Sequence, residues 1–270
     1  MEDYCIAALK KTRIFPAWAE SADFPAFHAF MKCYTFLNRR VFPAELERIM
    51  SSIVFAAASA IIAALFIYHE YLEKPVHSVI LKGIASLCFL ITGMMNSNGS
   101  AAARMIVTGL ALGFIADILL NLRFVFKKYA KPIFLTGILV FLAGHIAYLF
   151  AVFPECPWKL PVIILSVVLT AVLMTWIFSQ ITADKVFKLF GIVYVGAILT
   201  LTVTAIANLI HDRSTYHLVF MLGSVFFLIS DVILILNTFG KKPKFSRRIV
   251  NLSMYYIGQL LIAFSLKFMQ

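Results

Sequence analysis

The sequence predicts an all-α membrane bundle of about eight transmembrane helices, arranged as two parallel four-helix repeats. Three observations lead there. Apolar residues make up 62% of the 270-residue chain, 26 of them Phe, and the mean hydropathy is +0.92, which excludes an ordinary soluble domain. Eight windows of 18 or more mostly apolar residues follow one another with short connections, enough to cross the hydrocarbon core each time. Finally, sliding the chain by 114 residues brings two acid-bearing apolar stretches into register.

Residues 1–50 differ from the rest and are expected to form a tail, loosely ordered or lying on the membrane surface, with 51–270 as the membrane domain. The tail mixes basic, acidic and aromatic residues with Pro16, Pro25 and Pro43, and Phe27–Phe42 could lie along the interface. It lacks the continuous apolar core of a signal peptide, and its acids argue against a mitochondrial presequence. The expected spans are 51–71, 78–96, 102–122, 132–153, 160–180, 186–210, 214–238 and 248–268. The second and eighth carry the weakest signals, because Lys82 interrupts one and Asn251, Tyr255, Tyr256 and Gln259 interrupt the other.

The formal charge of +11 could suggest a nucleic-acid partner, but the basic residues sit in the tail and the short loops. That distribution marks membrane orientation and anionic headgroups instead, and no nucleic-acid partner is expected. The loops after spans one, three, five and seven hold twelve Lys and Arg: Lys74; Arg123, Lys127, Lys128 and Lys131; Lys185 and Lys188; and Lys241, Lys242, Lys244, Arg247 and Arg248. The opposite edge holds four, Arg104, Lys159, Arg213 and Lys267. The positive-inside rule puts the twelve-charge edge in the cytosol; the basic tail, on the other side, pulls the opposite way. Cys5, Cys33, Cys88 and Cys156 have no metal-ligand or redox spacing and read as unpaired.

The stretch Gly109–Leu122 is apolar apart from Asp117 and Asn121, one helical turn apart, and Phe226–Leu236 repeats the idea with Asp231. A carboxylate near a helix centre costs roughly 2.5–3.5 kcal/mol on insertion scales, so such residues face a protein interior and carry function. The 114-residue offset pairs Asp117 with Asp231, Lys127-Lys128 with Lys241-Lys242, and Gly144-His145 with Gly258-Gln259. At about 1.5 Å per residue, Asp117 lies roughly 8 Å and Asp231 roughly 10 Å inside the basic edge. Lys82, Tyr194, Tyr255 and Gln259 fall in the same half of the bilayer, with His145 near mid-membrane. Each has a structural reading: Lys82 can snorkel or pair with an aspartate, the tyrosines, Asn121 and Gln259 can bond between helices, and His145 can pair with Tyr148 one turn on. Two acids, an amine and several phenols at one depth favour a site.

The Asp117-Ile-Leu-Leu120 stretch following Gly113, Gly144-His-Ile-Ala-Tyr148, Ser230-Asp-Val-Ile-Leu234 and Tyr255-Tyr-Ile-Gly-Gln-Leu-Leu-Ile262 resemble the YhhN family, which includes the lysoplasmalogenases. The resemblance covers about 50–268. Lys82 matches the family's lysine of the second span; Gly83 stands where the family has proline, and Ala116 where it has glycine before the first aspartate. The resemblance implies cleavage of the vinyl ether bond of a lysoplasmalogen, a lysophospholipid substrate, to a fatty aldehyde and a glycerophospho-alcohol. Such a bond hydrolyses by protonation of the outer alkene carbon and attack of water on the resulting oxocarbenium ion, which suits two carboxyl groups dividing acid and base roles. Asp117 and Asp231 are then the catalytic pair, in open order, with Lys82, Asn121, His145, Tyr194, Tyr255 and Gln259 as substrate-binding candidates. No metal or other cofactor is expected, since one span histidine and two distant acids make a poor ligand set. An internal membrane, the endoplasmic reticulum or another, is the expected location. The alternative reading is a non-enzymatic membrane protein, either a lipid-binding scaffold or a transporter of small solutes with a carboxylate proton relay.

Overall fold

The computed structural model describes residues 44–269. Chain contacts divide the protein into two units, Met1–Ser51 and Ser52–Gln270, and of the first the described part is the opening of a helix. The expected surface segment Phe27–Phe42, Cys5 and Cys33 lie outside the described residues. Among the described residues, eight helices are long and apolar enough to cross a membrane. They are α1 (Ala44–Tyr71), α2 (Pro75–Asn96), α3 (Ala101–Leu122), α4 (Ala130–Val152), α5 (Lys159–Gln180), α6 (Lys185–His211), α7 (Thr215–Thr238) and α8 (Phe245–Ser265). The first begins at Ala44, ahead of the boundary expected at 51.

The two interrupted spans are continuous helices, because their polar residues are confined to one face. In α8, Asn251, Tyr255, Tyr256, Gln259 and Ile262 recur at helical spacing and are all buried. In α2, Lys82 lies on the buried face with Ser78, Ser86 and Phe89. Pro75 occupies the first turn of α2, where its missing N–H leaves no bond unmade. Ser100 caps α3 by accepting from the Ala103 N–H at 3.2 Å, and Ser214 caps α7 by accepting from the His217 N–H at 3.3 Å.

Neighbour relations follow the internal repeat. α2, α3 and α4 pack in sequence, α4 packs on α6, α6, α7 and α8 pack in sequence, and α8 returns to α2. Six helices thus close a ring in which each contact of the first half has its equivalent in the second. The remaining two, α1 and α5, are also equivalent and stand outside. α5 packs on α6, and α1 is tied to α2 where the Ser59 hydroxyl donates to the Ala85 carbonyl at 2.8 Å.

The 114-residue offset has a packing counterpart. A Cβ on Gly144 of α4 would stand 3.2 Å from the Gly109 carbonyl oxygen of α3, and one on Gly258 of α8 would stand 3.0 Å from the Gly223 carbonyl oxygen of α7. Gly109 and Gly223 are themselves 114 apart, as are the caps Ser100 and Ser214. Between apolar helices in an apolar solvent, close backbone approach at small residues supplies the packing that the hydrophobic effect cannot. The obstacle at Gly258 is backbone, including the Phe227 nitrogen at 3.1 Å, so it cannot swing aside. Gly258→Ala and Gly144→Ala are therefore expected to destabilise by about 1–3 kcal/mol each. Gly191→Ala, whose Cβ would meet only the mobile end of Met174 at 3.4 Å, should change the melting temperature of the detergent-purified protein much less.

Candidate active site

The buried face of α3 runs Ala103, Ile106, Gly109, Leu110, Gly113, Ala116, Asp117 and Asn121. Small residues bring the neighbouring helices close, and Asp117 near the basic end receives what they carry. Lys82 Nζ of α2 lies 2.9 Å from Asp117 Oδ1. The Tyr255 hydroxyl of α8 donates to Oδ2 at 2.6 Å, and the Ser86 hydroxyl of α2 donates to the same oxygen. Lys82 also donates to Asn121 Oδ1 at 3.5 Å, one turn along from the acid. Lys82 is 4% exposed and Asp117 1%, so the amine pairs inward rather than reaching for headgroups. Behind this group, Gln259 Nε2 donates to the Tyr255 oxygen at 3.4 Å, and the Tyr148 hydroxyl donates to Gln259 Oε1 at 2.7 Å.

Asp231 of α7 is equally buried but differently surrounded. The Tyr194 hydroxyl of α6 donates to its Oδ2 at 2.8 Å, and His145 Nε2 of α4 lies 3.4 Å from that same oxygen. Among the described residues, Oδ1 has no hydrogen-bond partner and no lysine or arginine pairs with the carboxyl group. The His145 ring is wedged between Tyr194 and the edge-on Phe227, with centroids 5.1 Å and 4.7 Å away. Next to Asp231, Asn251 Nδ2 donates to the Ser230 carbonyl at 2.8 Å and to its hydroxyl at 2.9 Å, locking α8 to α7.

Both aspartates line one cavity inside the ring, together with Lys82, Asn121, Tyr194 and Tyr255. Phe134, Phe141, Phe178, Phe187 and Phe190 form apolar walls, and Arg123 and Arg248 stand toward the basic edge. The free space, about 90 Å³, accommodates several waters but not a whole lipid chain. A groove between α5 and α6, lined by Ser166, Val167, Thr170 and Gly196, shares Met174 and Phe178 with the cavity wall and opens toward the membrane. At the basic edge Arg248 forks onto Glu70 of α1, with Nε 3.2 Å from both carboxylate oxygens and a terminal nitrogen 3.0 Å from Oε1.

Of the eight residues singled out by sequence, Asp117, Asp231, Lys82, Asn121, Tyr194 and Tyr255 face the cavity. His145 and Gln259 stand one contact behind, against Asp231 and Tyr255. His145 and Tyr148 do not pair with each other; they belong to the separate networks of the two acids. Ser86 was missed, although its position one turn after Lys82 on the buried face of α2 is a readable signal. The sequence also gives no signal for Glu70, and it accounts for Arg123 and Arg248 as topology charges. Cys88 and Cys156 are free thiols. Among the described residues, no three His, Cys, Asp or Glu side chains gather into a metal-ligand set.

No curated protein and no solved structure matches the chain. A family model does, over residues 77–266. The match opens in the first turn of α2 and includes every cavity residue named above; α1, with Glu70, lies outside it, so it begins later than the boundary near 50 that the sequence stretches suggested. Spanning well over half of the chain and both helices that carry the buried aspartates, this match shows that the chain belongs to the YhhN family.

Proposed function

We propose that the protein is a hydrolase that cleaves the vinyl ether bond of a lysoplasmalogen, releasing a fatty aldehyde and a glycerophospho-alcohol. The observation that carries the proposal is the inequality of the two buried acids. Asp117 has a lysine ammonium at 2.9 Å and both oxygens engaged, whereas Asp231, which also lines the cavity, has no lysine or arginine partner among the described residues and is bonded through Oδ2 alone. Vinyl ether hydrolysis needs such a pair, one carboxyl group to give a proton and one carboxylate to steady a cation and activate water. Membership of a family that includes the lysoplasmalogenases points the same way.

In this reading Asp231 is the acid. Tyr194 and His145 hold it through Oδ2 and leave Oδ1 to protonate the outer alkene carbon, whose π electrons form the new C–H bond. The oxocarbenium ion that results faces Asp117, kept ionic by Lys82. Asp117 takes a proton from water as its oxygen adds to the cation, giving a hemiacetal. On collapse, Asp117 returns that proton to the departing glycerol oxygen and the hemiacetal O–H proton passes to Asp231. The atoms balance as substrate plus water to aldehyde plus alcohol, and both acids are restored. Asn121 and Tyr255 border the reacting group, His145 positions Asp231 and Gln259 positions Tyr255, and the α5–α6 groove takes the hydrocarbon chain. The membrane of action is an internal one, the endoplasmic reticulum or another, reached from the membrane plane.

Asp117→Asn and Asp231→Asn are each expected to reduce aldehyde release from a purified lysoplasmalogen by about 10²–10⁴-fold, and near-normal rates in either folded variant would sink the assignment. An ester-linked lysophospholipid of the same headgroup should release no fatty acid. Uptake of a solute into proteoliposomes with no aldehyde formed would point to a transporter instead. Lys82→Met leaves a buried carboxylate without its cation and should destabilise by about 3–5 kcal/mol. The Lys82→Met/Asp117→Asn double variant is expected to recover part of that loss in thermal unfolding, which a purely packing role for Lys82 would not allow.

A further inference from the structure

Charges around the cavity pair unevenly. Lys82 is matched by Asp117, and Arg248 by Glu70. Arg123 lines the same cavity, yet none of its nitrogens has a hydrogen-bond or ion-pair partner among the described residues, and its Nε is wholly buried. Its guanidinium is held against two rings, 4.0 Å from the Phe134 centroid and 4.6 Å from that of Phe124. Those rings fix the group and offer no acceptor. Burial, with Arg248 nearby, lowers Arg123 to about 10, so it remains a cation at neutral pH. Its place just past the end of α3 suits a positive charge, but the helix carbonyls do not answer Nε. A buried donor without an acceptor is costly, and an anionic ligand is what removes the cost.

We propose that Arg123, with Arg248 beside it, binds the phosphodiester of a lysophospholipid at the basic mouth of the cavity. The identity of the lipid rests on the hydrolase reading; the anion site does not. Six residues separate Asp117 from Arg123, about 9 Å along α3. Seven separate Arg248 from Tyr255, about 10 Å along α8, and the Tyr255 hydroxyl bonds Asp117, so the two arginines leave their helices at about one height above the acids. In a lysoplasmalogen six bonds join phosphorus to the first vinyl carbon, roughly 8 Å when extended. A phosphate on Arg123 therefore sets the vinyl ether at the level of Asp117 and Asp231. The single negative charge of a phosphodiester equals the one cavity cation left unmatched among the described residues. Glu70 occupies two nitrogens of Arg248 and keeps it aimed, with its remaining terminal nitrogen 3.5 Å from Asn251 Oδ1. The fork of Arg123 can engage two phosphate oxygens together, which a lysine cannot reproduce.

The test uses the full chain purified in maltoside micelles, with Arg123→Gln and Arg123→Lys beside the wild type. Aldehyde release is compared for a 1-alkenyl-glycerophosphoethanolamine and for a 1-alkenylglycerol that lacks the phosphate. Arg123→Gln should raise KM for the phospholipid roughly 10–100-fold with little change in kcat, so that the preference for the phosphorylated substrate collapses. Arg123→Lys, which retains the charge, should fall between. Binding of the uncleavable 1-alkyl-glycerophosphoethanolamine, followed by titration, should weaken to the same degree in Arg123→Gln. If the wild type releases no aldehyde but binds the alkyl lipid through Arg123, the hydrolase reading falls and the phosphate site stands. Unchanged KM and unchanged binding in either folded Arg123 variant overturn the site. Inorganic phosphate that binds more tightly than the alkyl lipid overturns the lipid as its ligand.

Discussion

Inside the hydrocarbon layer no bulk water answers a polar group, so a buried side chain bonds its own helix, as Thr170 does at the Ser166 carbonyl, or is answered by another helix. The packing of this protein follows from that constraint. Asp117 on α3 is answered by α2 and α8; Asp231 on α7 is answered by α6 and α4. Short side chains such as Ser86 and Asp117 meet only if backbones come close, and glycines line those contacts: a Cβ on Gly83 of α2 would stand 3.4 Å from the Ile118 side chain of α3, and one on Gly113 of α3 would stand 3.0 Å from Gln259 Nε2 of α8. The close pairs α3–α4 and α7–α8, at Gly109 with Gly144 and Gly223 with Gly258, hold the ring together beside them.

The repeat explains why the two acids share a depth, and its divergence explains why they differ in chemistry. Each acid takes its partners from equivalent helices, yet the partners are not equivalent. Lys82 has Gly196 at the 114-residue offset, Tyr255 has Phe141 and Gln259 has His145. Asp117 therefore meets an amine and a phenol, and Asp231 a phenol and an imidazole, each acid taking one of these partners from its own half and one from the other. Symmetry supplies two carboxyl groups on a common cavity, and loss of symmetry among their neighbours gives one a lysine and the other an imidazole. A pair with identical surroundings would have no reason to divide acid from base.

Much of this was readable in the sequence, for reasons the structure makes plain. Uninterrupted apolar runs mark spans, and an acid within such a run is costly enough to stand out, so the eight helices, the depth of Asp117 and Asp231 and the 114-residue offset were all visible. Helix rotation was not. Lipid and protein interior are both apolar, so α3, α4 and α6 carry little pattern to say which face looks inward. Lys82 could have paired with either acid, and His145 could have bonded Tyr148. Arg123 and Arg248 were hidden differently: at helix ends a basic residue satisfies the orientation rule whether it faces headgroups or a cavity, and only the tertiary structure separates the two. Glu70 belongs to a helix outside the matched stretch, where no motif drew attention to it.

The distribution of packing across the membrane bears on what the cavity can serve. Its polar residues and open space are confined to the half nearest the basic edge. In the other half, Ile106 and Leu110 of α3, Phe220 of α7 and Ile262 of α8 are fully or almost fully buried, and none borders the cavity. A solute crossing the membrane needs openings on both sides, and this ring has close-packed aliphatic and aromatic side chains where the second would be. Beside the cavity lies the α5–α6 groove, and Met174 and Phe178 line both. A charged mouth at one surface, acids a few turns inside and a lateral groove into the bilayer match the anatomy of an amphiphile, headgroup at the edge and chain in the membrane. That shape suits an amphiphilic molecule on grounds independent of the family likeness.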